Sequence, residues 1–138
     1  MRTINDYSKE IQVLGAPVEV KIRIKVEEDN DGRDLLLDCD LGPEREEALK
    51  DYNEGRLEVL NVYVLVETDL FKGVDMIGGV FVRSEKDIHE AVNDYCLVEE
   101  AIDDFIANVK EARRFLSILK CKALPKKQKG KKNENNND

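Results

Sequence analysis

The chain has little of what most catalytic and metal sites are built from. It contains one histidine, no tryptophan and only 6% aromatic residues. A lone histidine, His89, cannot assemble a multi-histidine metal site from one copy. The serines Ser8, Ser84 and Ser117 sit in no nucleophile motif, and no glycine pattern matches a P-loop or a dinucleotide fingerprint. We therefore expect a protein that is not an enzyme and that uses neither metal nor cofactor.

Cysteine is also scarce, and long apolar runs are missing. Cys39, Cys96 and Cys121 are odd in number, widely separated and form no CxxC pair, which is typical of reduced thiols in a cytosolic protein. Residues 1–10 are polar, so no signal peptide is expected. No apolar run approaches the roughly 20 residues that a membrane span needs. The sequence predicts a cytoplasmic protein with no membrane partner.

Charge is abundant but unevenly distributed. Charged residues make up 38% of the chain and the formal charge is −8. Residues 120–138 hold seven lysines and two acids, which leaves −13 on residues 1–119. Because so acidic a body repels phosphate, we expect no direct nucleic-acid binding. The acidity either keeps the protein soluble or imitates a phosphate backbone to occupy a nucleic-acid-binding partner.

Alternating apolar residues predict several strands. The clearest is Val18–Val26, with an apolar and a charged face, hairpin-paired with Ile11–Leu14 after a polar lead-in. Leu57–Val66 is apolar on both faces, which predicts a central strand or one that meets a partner. Leu35–Cys39 is a candidate returning strand, and Val80–Arg83 is the last strand.

A long helical stripe follows the strands. Its members recur at alternating steps of four and three residues: Val98, Ile102, Phe105, Val109, Ala112, Leu116 and Leu119. The spacing predicts one apolar face on a helix over Leu97–Lys120, buried against the chain's own sheet, a second copy, or both. Shorter helices are predicted over Pro43–Tyr52 and Glu85–Asp94. Ser84 and Asp87 form a capping-box pattern at the start of the latter.

These elements predict an α+β fold, with an N-terminal antiparallel β-sheet followed by two C-terminal helices. The last helix is long and amphipathic. A single domain is expected over residues 1–124. Residues 125–138, rich in lysine and asparagine and without an apolar residue, are expected to be disordered. The long stripe, or the two-sided strand Leu57–Val66, predicts a homo-oligomer, a dimer or larger.

The segment Glu27–Asp38 partly matches the spacing of an EF-hand calcium loop. If Gly32 is its sixth position, Asp29 and Asp31 take the third and fifth positions. The first position is then Glu and the twelfth is Asp, which reverses the usual order, and the flanks predict strands. A hairpin turn built on Asp-Gly is the preferred interpretation, and we expect no metal site.

The segment Glu67–Gly79 is predicted to be a loop. Its three glycines allow backbone conformations that other residues avoid, and it is unusually apolar for a connection. Its apolar residues are Leu70, Phe71, Val74, Met76 and Ile77. Such side chains either tuck under the sheet or meet a partner.

Clustered cations stand out in so acidic a body. Lys110, Arg113 and Arg114 lie near the end of the predicted long helix, where they either pair with acids and the helix C-terminus or bind an anion. An arginine offers phosphate a planar fork of donors. Arg83, beside the N–H groups that follow Ser84, is a candidate to complete such a site.

The order of sheet and helices in a small acidic chain resembles that of the phage anti-Thoeris sponge proteins. These viral proteins sequester cyclic ADP-ribose-type signals made by bacterial immune systems. The resemblance covers roughly residues 11–120 and is one of architecture, so no family binding residue is assigned from it. It implies a homodimer in the host cytoplasm, with ligand pockets formed partly by the C-terminal helices.

The resemblance also implies a role without chemistry. The protein would be an anti-defence protein that binds a small cyclic nucleotide signal without cleaving it. Phe71 or Phe81 would stack on the adenine, and the arginines would hold the pyrophosphate. The alternative is an acidic interaction protein that inhibits a host defence nuclease by occupying its nucleic-acid-binding surface.

Overall fold

The computed structural model describes residues 1–136, with side-chain surroundings for residues 1–122. It confirms the α+β class: a four-stranded antiparallel sheet precedes the last two helices. The strands, in the order β1-β2-β3-β4 across the sheet, are β1 Arg2–Val13, β2 Ala16–Glu28, β3 Glu58–Glu67 and β4 Lys72–Val82. The helices are α1 Gly32–Asp38, α2 Arg45–Asn53, α3 Glu85–Asp94 and α4 Leu97–Asn136. The tail predicted at 125–138 lies outside the residues whose surroundings are described.

The hairpin β1–β2 pairs as predicted but is much longer than the sequence suggested. Ile11 lies opposite Val18, and the pairing continues to Arg2 opposite Val26. The polar lead-in predicted over residues 1–8 is therefore strand. Most side chains of this edge strand are exposed, so its sequence shows no apolar alternation. The strand is held in place by backbone hydrogen bonds to β2.

The main core lies on one face of the sheet, under α3 and α4. Leu97, Ala101 and Phe105 of α4 are at most 2% exposed. They belong to the same cluster as the inward residues of the central strands: Val20, Ile22, Ile24, Val26, Leu60, Val62, Val64 and Val66. The prediction that Leu57–Val66 is a central strand is confirmed, since β3 pairs with both β2 and β4.

A smaller core covers one end of the opposite face. Fully buried Leu36 packs there with Ala48, Leu57 and Val59. Val59 and Leu60 are adjacent residues of β3 that belong to different cores, as the alternation of a strand requires. The strand predicted over Leu35–Cys39 was wrong: residues 35–38 belong to α1, which places Leu36 in the small core, and Cys39 caps this helix. The helix predicted over Pro43–Tyr52 is confirmed as a 3₁₀ turn, Gly42–Glu44, followed by α2.

The loop predicted over Glu67–Gly79 was also wrong. Only residues 68–71 connect the strands, and β4 begins at Lys72. Gly73 lies directly against α4: an ideal Cβ on it would lie 2.3 Å from both the Ala101 carbonyl oxygen and the Phe105 nitrogen. The glycine is needed for this close approach of strand and helix, not for a loop.

Helix α4 runs antiparallel to β4 and continues past the start of that strand. Asp104 contacts Val74, and Asn108, one turn later in the helix, contacts Lys72, which comes earlier in the strand. The two elements therefore run in opposite directions. The predicted stripe is buried or partly buried as far as Ala112, and every described residue after it is exposed. Over the part of the chain that the structure describes, no helix is long and apolar enough to cross a membrane.

The capping box at the start of α3 is confirmed. The Asp87 carboxylate accepts hydrogen bonds from the backbone N–H of Ser84 at 3.3 Å and of Arg83 at 2.8 Å. The backbone hydrogen bond from Arg83, and then the one from Ser84, lowers the pKa of Asp87. The chain's own carboxylate therefore engages the N–H groups of Arg83 and Ser84.

Candidate functional site

The best candidate site is on α4 over residues 109–122, here called the distal segment, which is exposed from Arg113 onward. Lys110, Arg113 and Arg114 are spaced three and four residues apart, so their side chains emerge from neighbouring turns on one side of the helix. All three are exposed. None forms an ion pair with the residues that the structure describes. The alternative that acids of the chain neutralise these cations has no contact to support it in the described part.

The distal segment is basic as well as apolar. Residues 110–122 contain five lysines and arginines against one acid, Glu111. Phe115 is 60% exposed, Leu116 57% and Leu119 46%. This combination offers donors for an anionic group and apolar surface for a ring in one stretch of helix.

Arg83 does not join this cluster. It sits just past the end of β4, the opposite end of the strand from Lys72, which contacts α4. Its guanidinium donates to Asp51, whose other carboxylate oxygen accepts two hydrogen bonds from Arg56, at 3.0 and 2.8 Å. The hydrogen bonds from Arg83, and then those from Arg56, hold the pKa of Asp51 below its ordinary 3.8. Arg83 thus ties the end of β4 to α2.

The two aromatic candidates lie far apart. Phe71 precedes β4, where its ring meets Phe105 edge-on at a centroid distance of 6.4 Å. Phe81 lies near the other end of the strand and packs against the small core. Ten residues of strand separate them by roughly 30 Å, at about 3.3 Å per residue. Within one chain, Phe71 and Phe81 do not line one pocket.

The sequence interpretation missed Phe115. The stripe of four- and three-residue steps passes through Ala112 and Leu116 and does not include it. Its signal is position: it follows Arg113 and Arg114 directly, in a segment that the sheet does not cover. Only the length of β4, which fixes where the sheet stops covering α4, shows that this ring is exposed.

A depression of about 620 Å³ lies on the outer face of the sheet. Its walls include Lys21, Arg23 and Glu67. The Arg23 guanidinium forms an ion pair with the Glu67 carboxylate, at 2.8 Å between nitrogen and oxygen. Arg23 and Lys21 also approach Asp6, at 3.5 and 3.8 Å. Because these charges are paired with one another, the depression offers a ligand less than the distal segment does.

The segment Glu27–Asp38, which partly matches an EF-hand loop in sequence, does not have the shape of a calcium loop. Asp29 accepts hydrogen bonds from the backbone N–H of Asp31 and of Gly79, at 2.9 and 3.1 Å. Glu27 accepts one from the Tyr63 hydroxyl at 2.6 Å, and this bond raises the pKa of Tyr63. Helix α1 occupies the second half of the segment. Among the described residues, no three acidic, histidine or cysteine side chains converge as metal ligands.

Comparison with protein families, curated proteins and solved structures finds no match to this chain.

Proposed function

We propose that this protein is a non-catalytic binder that sequesters a small phosphate-bearing nucleotide signal. In this role it would act as a phage or mobile-element anti-defence protein, directed against a cyclic ADP-ribose-type or cyclic nucleotide signal of bacterial immunity. The ligand would bind at Lys110, Arg113 and Arg114, and it would be released unchanged.

The exposed, closely spaced cations of the distal segment support this proposal. A phosphate or pyrophosphate matches the planar donor forks of two adjacent arginines. Leu116, three residues after Arg113 and exposed, gives apolar surface beside them that suits a nucleobase. Cations that no described acid neutralises keep their donors free for an anion.

The charge of the remaining chain favours a small ligand over a polymer. A nucleic acid long enough to extend past the distal segment onto the sheet would meet the −15 of residues 1–109. A single nucleotide reaches the cations without lying along the acidic body. Screening over about 8 Å at physiological salt limits the repulsion that it feels.

Thermal melting with a panel of cyclic ADP-ribose isomers and cyclic oligonucleotides tests the proposal. A ligand at 100 times its dissociation constant adds about 2.7 kcal/mol to stability, which raises the melting temperature by on the order of 10 °C. The variant Arg113→Ala/Arg114→Ala should melt like the wild type without ligand and show no ligand-induced shift. Arg33, an exposed arginine of α1 with no ion pair in the described part, supplies the matched control Arg33→Ala.

The exposed acids of α4 favour a second candidate function. Glu99, Glu100 and Asp103 are exposed on the first turns of α4. Such a surface would suit an acidic interaction protein that blocks the nucleic-acid channel of a defence nuclease. A nuclease recovered from bacterial lysate, bound with steep salt dependence and released by Glu99→Lys/Asp103→Lys, would support this function.

A further inference from the structure

The two edges of the sheet differ in how their backbone groups are used. At β4, side chains of α4 bond the backbone N–H of Val74 and the carbonyl of Lys72. At β1, the opposite edge, no hydrogen bond joins the backbone to a described residue outside the hairpin β1–β2. Such an edge is a row of N–H and C=O groups that an extended chain can pair with as a further strand.

The turn of the hairpin fixes which groups of β1 face outward. Leu14 and Gly15 have φ values of 52° and 82°, as in a two-residue type I′ turn, and Val13 lies opposite Ala16. Val13 and Ala16 then exchange two hydrogen bonds, and pairs of this kind alternate along an antiparallel hairpin. From residue 5 to residue 13, the odd-numbered residues of β1 therefore bond β2, and the even-numbered residues point their N–H and C=O groups outward.

Two contacts agree with this alternation. The outward N–H of Asp6 donates to the side-chain oxygen of Asn5 at 2.9 Å, so this end of the edge is already occupied. Pro17, which has no N–H, lies opposite Gln12, a position at which β2 makes no bond to β1. The outward groups that remain belong to three residues, here called the open edge: Ser8, Glu10 and Gln12.

Charge on the outer face of the sheet indicates what a further strand should carry. Glu10 lies directly opposite Glu19, both side chains are exposed, and neither forms an ion pair with a described residue. Lys21, two residues after Glu19, lies 3.8 Å from Asp6. Like charges directly opposite each other are destabilising, so a cation placed opposite Glu10 on a third strand is favourable. A depression of about 460 Å³ beside both carboxylates leaves room for its side chain.

The helix side of the hairpin indicates which residues should flank this cation. The neighbours of a residue opposite Glu10 point to the helix side of the sheet, where they lie beside Lys9 and Ile11. Ile11 is buried in the main core, so an apolar neighbour extends that core, and another packs on the aliphatic stem of Lys9. The open edge therefore fits an extended segment in which apolar and basic residues alternate. The −15 of residues 1–109 also attracts a basic segment.

A second copy of β1 fits this edge poorly. In an antiparallel two-fold pair centred on Ser8, Glu10 lies opposite the partner's Asp6. A pair centred on Lys9 or on Glu10 sets two copies of that charged residue opposite each other, and one centred on Ile11 leaves Ser8 opposite the turn. Because like charges oppose pairing in these registers, the charges favour a different chain as the occupant.

We propose that the open edge binds an extended basic segment of another protein as a fifth strand, with a lysine or arginine opposite Glu10 and apolar residues beside Ile11. The segment runs antiparallel to β1, which is the more stable orientation, so that each residue opposite the open edge exchanges two hydrogen bonds with it. This surface consists of other residues than the distal segment and does not depend on nucleotide binding.

Amide hydrogen exchange followed by NMR tests the proposal with a synthetic peptide, acetyl-Thr-Val-Lys-Val-Lys-Val-Thr-amide. At ten times its dissociation constant, exchange at Ser8, Glu10 and Gln12 should slow by about tenfold, since only the free fraction exchanges. The same peptide N-methylated at both lysines keeps its charge but lacks the N–H groups that face β1, so it should leave these rates unchanged. Equal slowing by both peptides, or by neither, overturns the proposal.

The variant Glu10→Pro removes one outward N–H and leaves the hairpin intact, because this N–H faces away from β2. It should bind the unmodified peptide about tenfold more weakly or worse. The amides of Lys9 and Ile11, which bond β2, should keep their slow exchange and so report an intact hairpin. An affinity equal to that of the wild type contradicts the proposal.

A charge variant supplies the second measurement and keeps every outward N–H. Glu10→Lys places a cation opposite Glu19 and should weaken binding of the unmodified peptide about fivefold. Glu28→Gln, at an exposed acid near the end of β2, should bind like the wild type. An equal loss in both variants would show only general charge attraction. A wild type that dimerises without peptide, and is monomeric as Glu10→Pro, would identify a second copy as the occupant. Either result overturns the proposal.

Discussion

The side-chain amide of Asn108 donates a 2.7 Å hydrogen bond to the backbone carbonyl of Lys72. One turn earlier, Asp104 accepts a 2.9 Å hydrogen bond from the backbone N–H of Val74. Lys72 and Val74 belong to β4, an edge strand of the sheet. Helix α4 therefore uses two polar side chains to pair backbone groups that an edge strand leaves open to other chains.

Loss of the Asp104 carboxylate should free the Val74 amide. Asp104→Ala removes a charge-assisted hydrogen bond, and we expect hydrogen exchange at Val74 to accelerate about tenfold or more. Amide exchange followed by NMR measures this directly. Asp103→Ala, at the exposed neighbouring position, should leave the Val74 rate unchanged. Equal rates in both variants would show that the helix does not protect this edge.

Gly73 should not tolerate a side chain. A Cβ at this position would lie 2.3 Å from two backbone atoms of α4, which cannot give way as a flexible side chain does. We expect Gly73→Ala to lower the free energy of unfolding by about 2 kcal/mol or more, measured by urea denaturation.

Gly78 supplies the control in the same strand. An added Cβ there would lie 2.9 Å from the Oδ1 atom of Asn61, the end of a side chain that can move. Gly78→Ala should therefore cost clearly less than Gly73→Ala. If the two variants have the same stability, α4 does not approach β4 as closely as described.

Acid should weaken the fold partly through Asp51. Its folded-state pKa lies below the ordinary 3.8, so its contribution to stability is present above that value and lost as the pH falls through the folded-state pKa. Asp51→Asn should be less stable than the wild type at pH 7, and the difference should shrink as the pH falls below about 4. Urea midpoints measured between pH 7 and pH 3 give this difference. Asp69→Asn, at an exposed position, should follow the wild type, and a difference for Asp51→Asn that stays constant with pH would contradict the assignment.

The fold could be predicted where apolar periodicity is strong. The alternation of Val18–Val26 and the capping pattern at Ser84 fixed the positions of β2 and α3 to within a few residues. The errors occur where a neighbouring strand or helix of the same chain, and not the local sequence pattern, determines the structure. The N-terminal half of β1 is polar and held by backbone pairing, and β4 contains Gly73 because a helix presses on it.

The candidate site could be predicted only in part. Lys110, Arg113 and Arg114 share one side of a helix, which spacing alone implies, and the structure brings them together. Arg83 and Phe81 lie at the other end of β4, and this separation comes from a strand where the sequence predicts a loop. Whether these residues bind a ligand stays a prediction.

Isothermal titration of the panel of cyclic ADP-ribose isomers and cyclic oligonucleotides into three proteins tests the central claim most directly. One compound should bind the wild type and Arg33→Ala equally. Its affinity for Arg113→Ala/Arg114→Ala should fall by about 100-fold or more, since each lost hydrogen bond to a charged group costs about 1.5–3 kcal/mol. Binding to the double variant as tight as to the wild type, or no binding to the wild type by any compound, would contradict the proposed function.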